Sequence, residues 1–369
     1  MFDSIKERGY AEEEIDQLFR HFFSSFSQTA NNFETIAVYL RVARQTVCLK
    51  FTNKYLANLL TRALLHIQTD LTPNPDLTIC VWDTKSTNQN LPPFLSQFNQ
   101  FINANPNAGL RAIRGDVPFL TNKKIRTALM GNSSLTMANI PEKLCVHWVS
   151  GADEIPYHEL GASLRVPLNF MFNGFSRQLL HGGAVGNEKG GVFLGGIGGS
   201  GKSTTALNCL LSSSIFYAGD DYVLVESDNS PTAYSLYNSA KVKSFNDLER
   251  FSKLRSLIAN ENGVKINQEK PMLFLNEHLP QKLIAELSLK AIVFPKFMTG
   301  EKIRIQPISQ QRVFREITTS TVRQTPGNDQ TTIAMIGKFI KKLPAFELVF
   351  GENQTDLTKY ISDIIEENS

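Results

Sequence analysis

The sequence lacks any run of about 18 apolar residues free of charge, the length a membrane-spanning helix needs, so no membrane role is expected. It has little net charge. Its 38 Lys and Arg against 35 Asp and Glu leave +3, which gives no broad electrostatic case for nucleic acid. Cysteine is sparse: Cys48, Cys80, Cys145 and Cys209 are widely spaced and form no C-x-x-C pair, so they read as reduced thiols in a cytosolic core. Internal repeats and low-complexity runs are missing too. The opening MFDSIKERGYAEEEIDQ carries acids and has no apolar h-region, so no secretory signal is expected and a cytoplasmic location is.

What is present is an ordinary globular composition, 42% hydrophobic and 20% charged. A chain of 369 residues is long for one core, and we expect two domains, 1–154 and 155–369. In the first, residues 10–29, 53–67 and 92–104 read as helices. QTVCLKF (45–51), LTICVWD (77–83) and segments within GLRAIRGD, KKIRTALMG and KLCVHWVSG read as strands, which makes a small α+β unit. In the second, Leu168, Met171, Phe172, Phe175 and Leu179 recur at helical spacing and predict a helix that stops at Gly182-Gly183. GGVFLGG, IFYAGDDYVLVES, KAIVFPKF, KIRIQPI and FELVFG read as strands, and 202–213, 309–320, 330–343 and 355–366 as helices. The expected class is α/β, built around a mixed sheet.

Gly196-Ile197-Gly198-Gly199-Ser200-Gly201-Lys202-Ser203 fits G-x-x-x-x-G-K-[ST], followed by Thr204. An apolar strand leads in, and a helix with Leu207, Leu210 and Leu211 leads out. Glycines let successive N–H groups turn toward phosphates, and the helix N-terminus adds a positive dipole end. Lys202 is the candidate for the β- and γ-phosphates, and the Ser203 hydroxyl for Mg²⁺.

Asp220-Asp221 follows after one helix. Two adjacent aspartates beside a triphosphate can divide the work, one holding Mg²⁺ and the other taking a proton from an incoming hydroxyl. The same residues also read as a polar turn between apolar segments. His181, in LLHGGAVG, reads either as a site residue or as a histidine at a helix end.

Taken together, HGGAVGNEKGGVFLGGIGGSGKSTTALNCLL and YAGDDYVLVE resemble the HPr kinase/phosphorylase family, and most of all its divergent HPr-kinase-related members. The likeness covers about 165–226 and not the first 150 residues. It implies a P-loop kinase domain related to phosphoenolpyruvate carboxykinase, ATP and Mg²⁺ as cofactors, and a homo-oligomer. It also implies phosphate binding by Lys202 and Ser203, Asp221 as general base, Asp220 supporting the metal or the base, and His181 near the transferred phosphate. The family's metal-binding glutamate has no counterpart here: Asn238 or Ser239 falls at its place, within SLYNSAKVKSFNDLERF, where Lys241 or Lys243 would stand for the arginine. That departure argues against HPr as acceptor and against a reverse phosphorylase reaction.

The expected function is transfer of the γ-phosphate to an alcohol hydroxyl of a peptide, protein or small molecule, in a biosynthetic setting. The alternative is a nucleotide-binding regulator without transfer. Arg312, Arg315 and Arg323 are candidates for an anionic acceptor, the first two sharing a helix face.

Overall fold

A computed structural model of the chain describes residues 10–104, 114–130, 133–173, 177–228, 230–259, 270–327 and 330–369. The opening residues 1–9, Phe175, and residues 109–113 of the strand expected within GLRAIRGD (109–116) lie outside these.

The first helix, α1 (Glu12–Asn32), starts with three glutamates at its dipole-positive end. It buries Ile15, Phe19, Phe22 and Phe26, a stripe spaced three or four residues apart. Two strands follow, β1 (Ile36–Val42) and β2 (Gln45–Phe51), then α2 (Lys54–Thr61), a 3₁₀ turn to Ile67, β3 (Gln68–Thr69) and β4 (Leu77–Asp83). α3 (Pro93–Ala104), β5 (Ile125–Met130), β6 (Ser134–Asn139) and β7 (Leu144–Val149) complete a seven-stranded sheet in the order β3-β1-β2-β4-β7-β6-β5. β4 pairs in parallel with both β2 and β7, and the other pairs are antiparallel. α1 covers one face, where Phe22 packs 5.1 Å from Trp82.

Helix α4 (Arg165–Asn173) packs on β6, β7 and the next strand, β8 (Arg177–His181). Next come β9 (Gly183–Asn187), β10 (Gly190–Leu194), α5 (Lys202–Leu211), β11 (Phe216–Gly219), β12 (Tyr222–Glu226), β13 (Thr232–Tyr234), β14 (Ser239–Lys241), β15 (Met272–Phe274) and the long β16 (Glu286–Phe297). The chain closes with β17 (Arg304–Pro307), α6 (Gln310–Gln324), α7 (Gln330–Lys341), β18 (Ala345–Phe350) and α8 (Leu357–Glu367). The second sheet runs β11-β9-β10-β16-β13-β12-β8, with β18 beside β16 and β17 beyond it. β16 is parallel to both β10 and β18. The mixed α/β character matches the expectation. One apolar core joins residues of both sheets and their flanks, with Leu49, Leu64 and Ile79 from around the first and Leu168, Phe170, Leu179 and Leu224 from around the second.

Two readings are corrected. Leu179 is not helical: α4 ends at Asn173, and Arg177–His181 is a strand buried along its whole length. A fully buried strand shows no alternation, so its apolar residues passed for one more helical turn. His181 therefore closes a strand rather than a helix. β1, β3, β6, β9, β13 and β15 were not expected, and the strand region IFYAGDDYVLVES holds two strands. The four cysteines are buried and unpaired. None of the described helices is long and apolar enough to cross a membrane.

Candidate functional site

Two extended ribbons, 177–187 and 216–226, run antiparallel and carry most of the site. β12 pairs with β8, setting Tyr222 opposite His181. β11 pairs with β9, setting Gly219 opposite Ala184. Asp220-Asp221 therefore lies across from Gly182-Gly183, and the Gly182 N–H donates to the Asp221 carbonyl at 3.1 Å. Glycine is required here by proximity. A Cβ on Gly183 would sit 2.8 Å from the Gly219 carbonyl oxygen and 3.0 Å from Asp220 Cα.

The glycine loop leaves β10 at its carboxyl end, where ligands of α/β sheets gather. Gly195 N–H donates to Val293 O, and Phe297 N–H to Ser200 O, which ties the loop to β16. Gly196, Gly199 and Gly201 have φ of +120°, +80° and +118°. Gly201 is the N-cap of α5 and offers no side-chain cap, so the first-turn N–H groups stay available. Of the helix's apolar positions, Leu207 and Leu210 turn to the core and Leu211 to solvent. Lys202 Nζ donates to the Gly196 and Ile197 carbonyls at 2.9 and 3.2 Å, folding back over the loop. Burial pulls its pKa down, against the pull of Asp221 and Asp220. The Ser200 and Thr205 hydroxyls are buried with no hydrogen-bond partner. Around Gly198 and Gly199 there is open space. Thr204 is half-buried on the first turn.

The two aspartates differ. Asp220 is 3% exposed, and burial, then the Asp221 charge, pushes it up to about 7, opposed by Lys241 and by a hydrogen bond from Ser203. The Asp221 side chain is 36% exposed. Burial alone would raise it, but the Lys241 charge and the hydrogen bonds from His181 and Lys241 outweigh that and hold it well below the ordinary carboxylate range. Lys241 Nζ lies 2.8 Å from Asp221 Oδ2, and His181 Nε2 lies 3.5 Å from Oδ1.

Three partners escaped the sequence reading. Gln324 Nε2 is 3.3 Å from both ring nitrogens of His181. Tyr222 Oη donates to Gln324 Oε1 at 2.6 Å and accepts from Arg165 Nη1 at 2.5 Å. Only Tyr222, next to the aspartate pair, carried any sequence signal. Of the residues weighed in place of the missing glutamate, Asn238 and Ser239 are buried and hydrogen-bond to the backbone carbonyls of Arg62 and Gly161. Lys241 reaches the site. Lys243 is exposed beyond the end of β14, so the two lysines do not share a strand face. Arg312 is bound to Glu316 and Glu347, and Arg315 and Arg323 are exposed.

Compared with known proteins, the chain matches no family model, and no curated protein matches it. Among solved structures, it is similar to the Hpr(Ser) kinase/phosphatase from Coxiella burnetii over 52% of this chain and 95% of that one, with a TM-score of 0.28 and 10% identity. That is a distant likeness in shape.

Proposed function

We propose that this chain is a Mg-ATP-dependent kinase of an alcohol hydroxyl. The observation that carries the reading is the unequal pair beside the glycine loop: a buried Asp220 and a more accessible Asp221 with Lys241 at 2.8 Å and His181 at 3.5 Å. The loop fits a triphosphate, with its uncapped helix end, three glycines at positive φ, two orphaned hydroxyls and open space at Gly198 and Gly199. Mg²⁺ commonly takes one or two protein ligands beside phosphate oxygens, a role that suits Ser203 and Asp220. Bound Mg-ATP supplies the phosphoryl group and, in ADP, its leaving group.

The protein's part is positioning and charge. Lys202 leaves the loop carbonyls for phosphate oxygens. Asp221 takes the acceptor's hydroxyl proton as the new O–P bond forms and the bond from phosphorus to the ADP oxygen breaks. His181 and Lys241 fix the Asp221 carboxylate. A carboxylate held low in pKa is a weak base, which suits a loose phosphoryl transfer in which orientation counts for more than basicity. The acceptor is a hydroxyl on a peptide, protein or small molecule, and the implied homo-oligomer belongs to the same proposal.

The test is ADP release from Mg-ATP with and without hydroxyl-bearing acceptors, with mass spectrometry for a gain of one phosphate. The reading expects a gain that disappears in both Lys202→Ala and Asp221→Asn. Nucleotide binding without turnover on any acceptor would overturn it in favour of a nucleotide-binding regulator.

A further inference from the structure

A cavity of about 230 Å³ lies between the first sheet and the start of α4, walled by Met130, Ser134, His147 and Val149 on one side and by Glu159, Leu164 and Arg165 on the other. Most of the wall is apolar. Ser133, Ser134, Ser163, His147, Glu159 and Arg165 bring polar groups to it. Arg165 Nε is buried and has no hydrogen-bond partner. His147 has Nδ1 committed to Thr136 Oγ1 at 2.8 Å, leaving Nε2 as its remaining polar atom. Burial keeps that imidazole neutral, lowering its pKa to about 4. Arg165 and Glu159 pair at 3.2 Å, so their charges offset each other. Leu164 holds φ at +54°, a strained conformation for a bulky side chain of the kind that clusters at ligand sites.

Two routes lead from this wall to Asp221. Arg165 Nη1 donates to Tyr222 Oη, which donates to Gln324, which contacts His181 beside Asp221. The His158 carbonyl, also in the wall, accepts from Lys241 Nζ at 3.4 Å, and that same nitrogen holds Asp221.

We propose that the cavity is a second ligand site, for a small uncharged molecule with an apolar body and one hydrogen-bonding oxygen, and that Arg165 couples its occupancy to Asp221. An apolar cavity of about 150 Å³ holds benzene, so this one admits a substituted ring or branched chain of roughly ten heavy atoms. A charged ligand would lack a counter-charge, because Arg165 is already paired with Glu159. Binding stands independently of the phosphotransfer reading, whereas the coupling rests on it.

Benzyl alcohol is the probe. It is titrated against the full chain carrying labelled Met and Leu methyls, without nucleotide. Saturable shifts at Met130 and Leu164 that vanish in both Met130→Trp and Ser134→Leu support the site. Shifts that never saturate, or that survive both filled variants while thermal melts show them folded, overturn it. Mg-ATP affinity is then measured with the probe at saturation. A change of about fivefold or more, lost in Arg165→Lys although the probe still binds, supports the coupling. An unchanged affinity overturns the coupling. If Mg-ATP does not bind at all, the phosphotransfer reading falls together with the coupling, and the methyl titration still decides the cavity.

Discussion

Gly183 faces the backbone of Asp220 with no room for a side chain: a Cβ there would stand 3.0 Å from Asp220 Cα. The glycine pair after His181 and the acidic pair after β11 thus form one structural unit, each shaped to the other. Gly183→Ala should push the ribbons apart and destabilise the fold by about 1–3 kcal/mol, the usual cost of overpacking. Gly198→Ala, where an added Cβ meets nothing within 4 Å, should stay within about 0.5 kcal/mol of wild type. Urea midpoints of the two variants check the contrast, and equal midpoints would refute it.

Lys241 is the strongest influence holding Asp221 ionised after burial. Lys241→Met removes that charge, so the Asp221 pKa should rise toward and above its ordinary value. Under the proposed mechanism Asp221 works as the carboxylate. The acid limb of the pH–rate profile should therefore move to higher pH by at least about one unit, worth about 1.4 kcal/mol. A profile that drops uniformly without moving its acid limb would count against Asp221 as the base.

How far could this site be read in the sequence? The glycine loop and its lysine are local, so their spacing disclosed them. The aspartate pair was visible for the same reason. His181 was found by its spacing from the loop but placed on the wrong element, because Leu179 and Leu180 are both buried and fit a helix face as well as a buried strand. Arg165 and Gln324 were not legible. They meet Tyr222 from 57 residues before it and 102 after it, through pairings that only the tertiary fold makes. The seven-stranded sheet was half seen, in part because β6 carries Ser134, Thr136 and Asn139, polar positions that dilute its pattern.

Tyr222 Oη is shared between Arg165 and Gln324, and removing it strands one donor and one acceptor together. Tyr222→Phe keeps the ring that Arg165 stacks over at 4.9 Å but deletes the bridge. Gln324 is exposed, so water can replace its lost partner; the mostly buried Arg165 donor cannot be served as easily, and its loss of about 1–3 kcal/mol should lower the urea midpoint. Gln324 then loses its anchor near His181, so turnover should fall. A variant matching wild type in both midpoint and turnover would show that the bridge does not position His181.

His147 gives the protein a pH-dependent term with a definite sign. Burial lowers its pKa to about 4, from the ordinary 6.5 or so that it regains on unfolding. Between those values the unfolded chain binds a proton that the folded chain does not. The stability this residue allows is therefore complete above about pH 6.5 and is lost as pH falls toward 4. At pH 5 the loss is about 2 kcal/mol. Asp220, raised to about 7, acts in the opposite sense and partly masks this in the wild type alone. The clean comparison is with His147→Gln, which removes the titrating group and keeps Asp220. The wild type's stability relative to that variant should shrink by about 2 kcal/mol between pH 7.5 and pH 5, read from urea unfolding at each pH. If the two stability curves run parallel across that range, His147 is not held neutral in the fold.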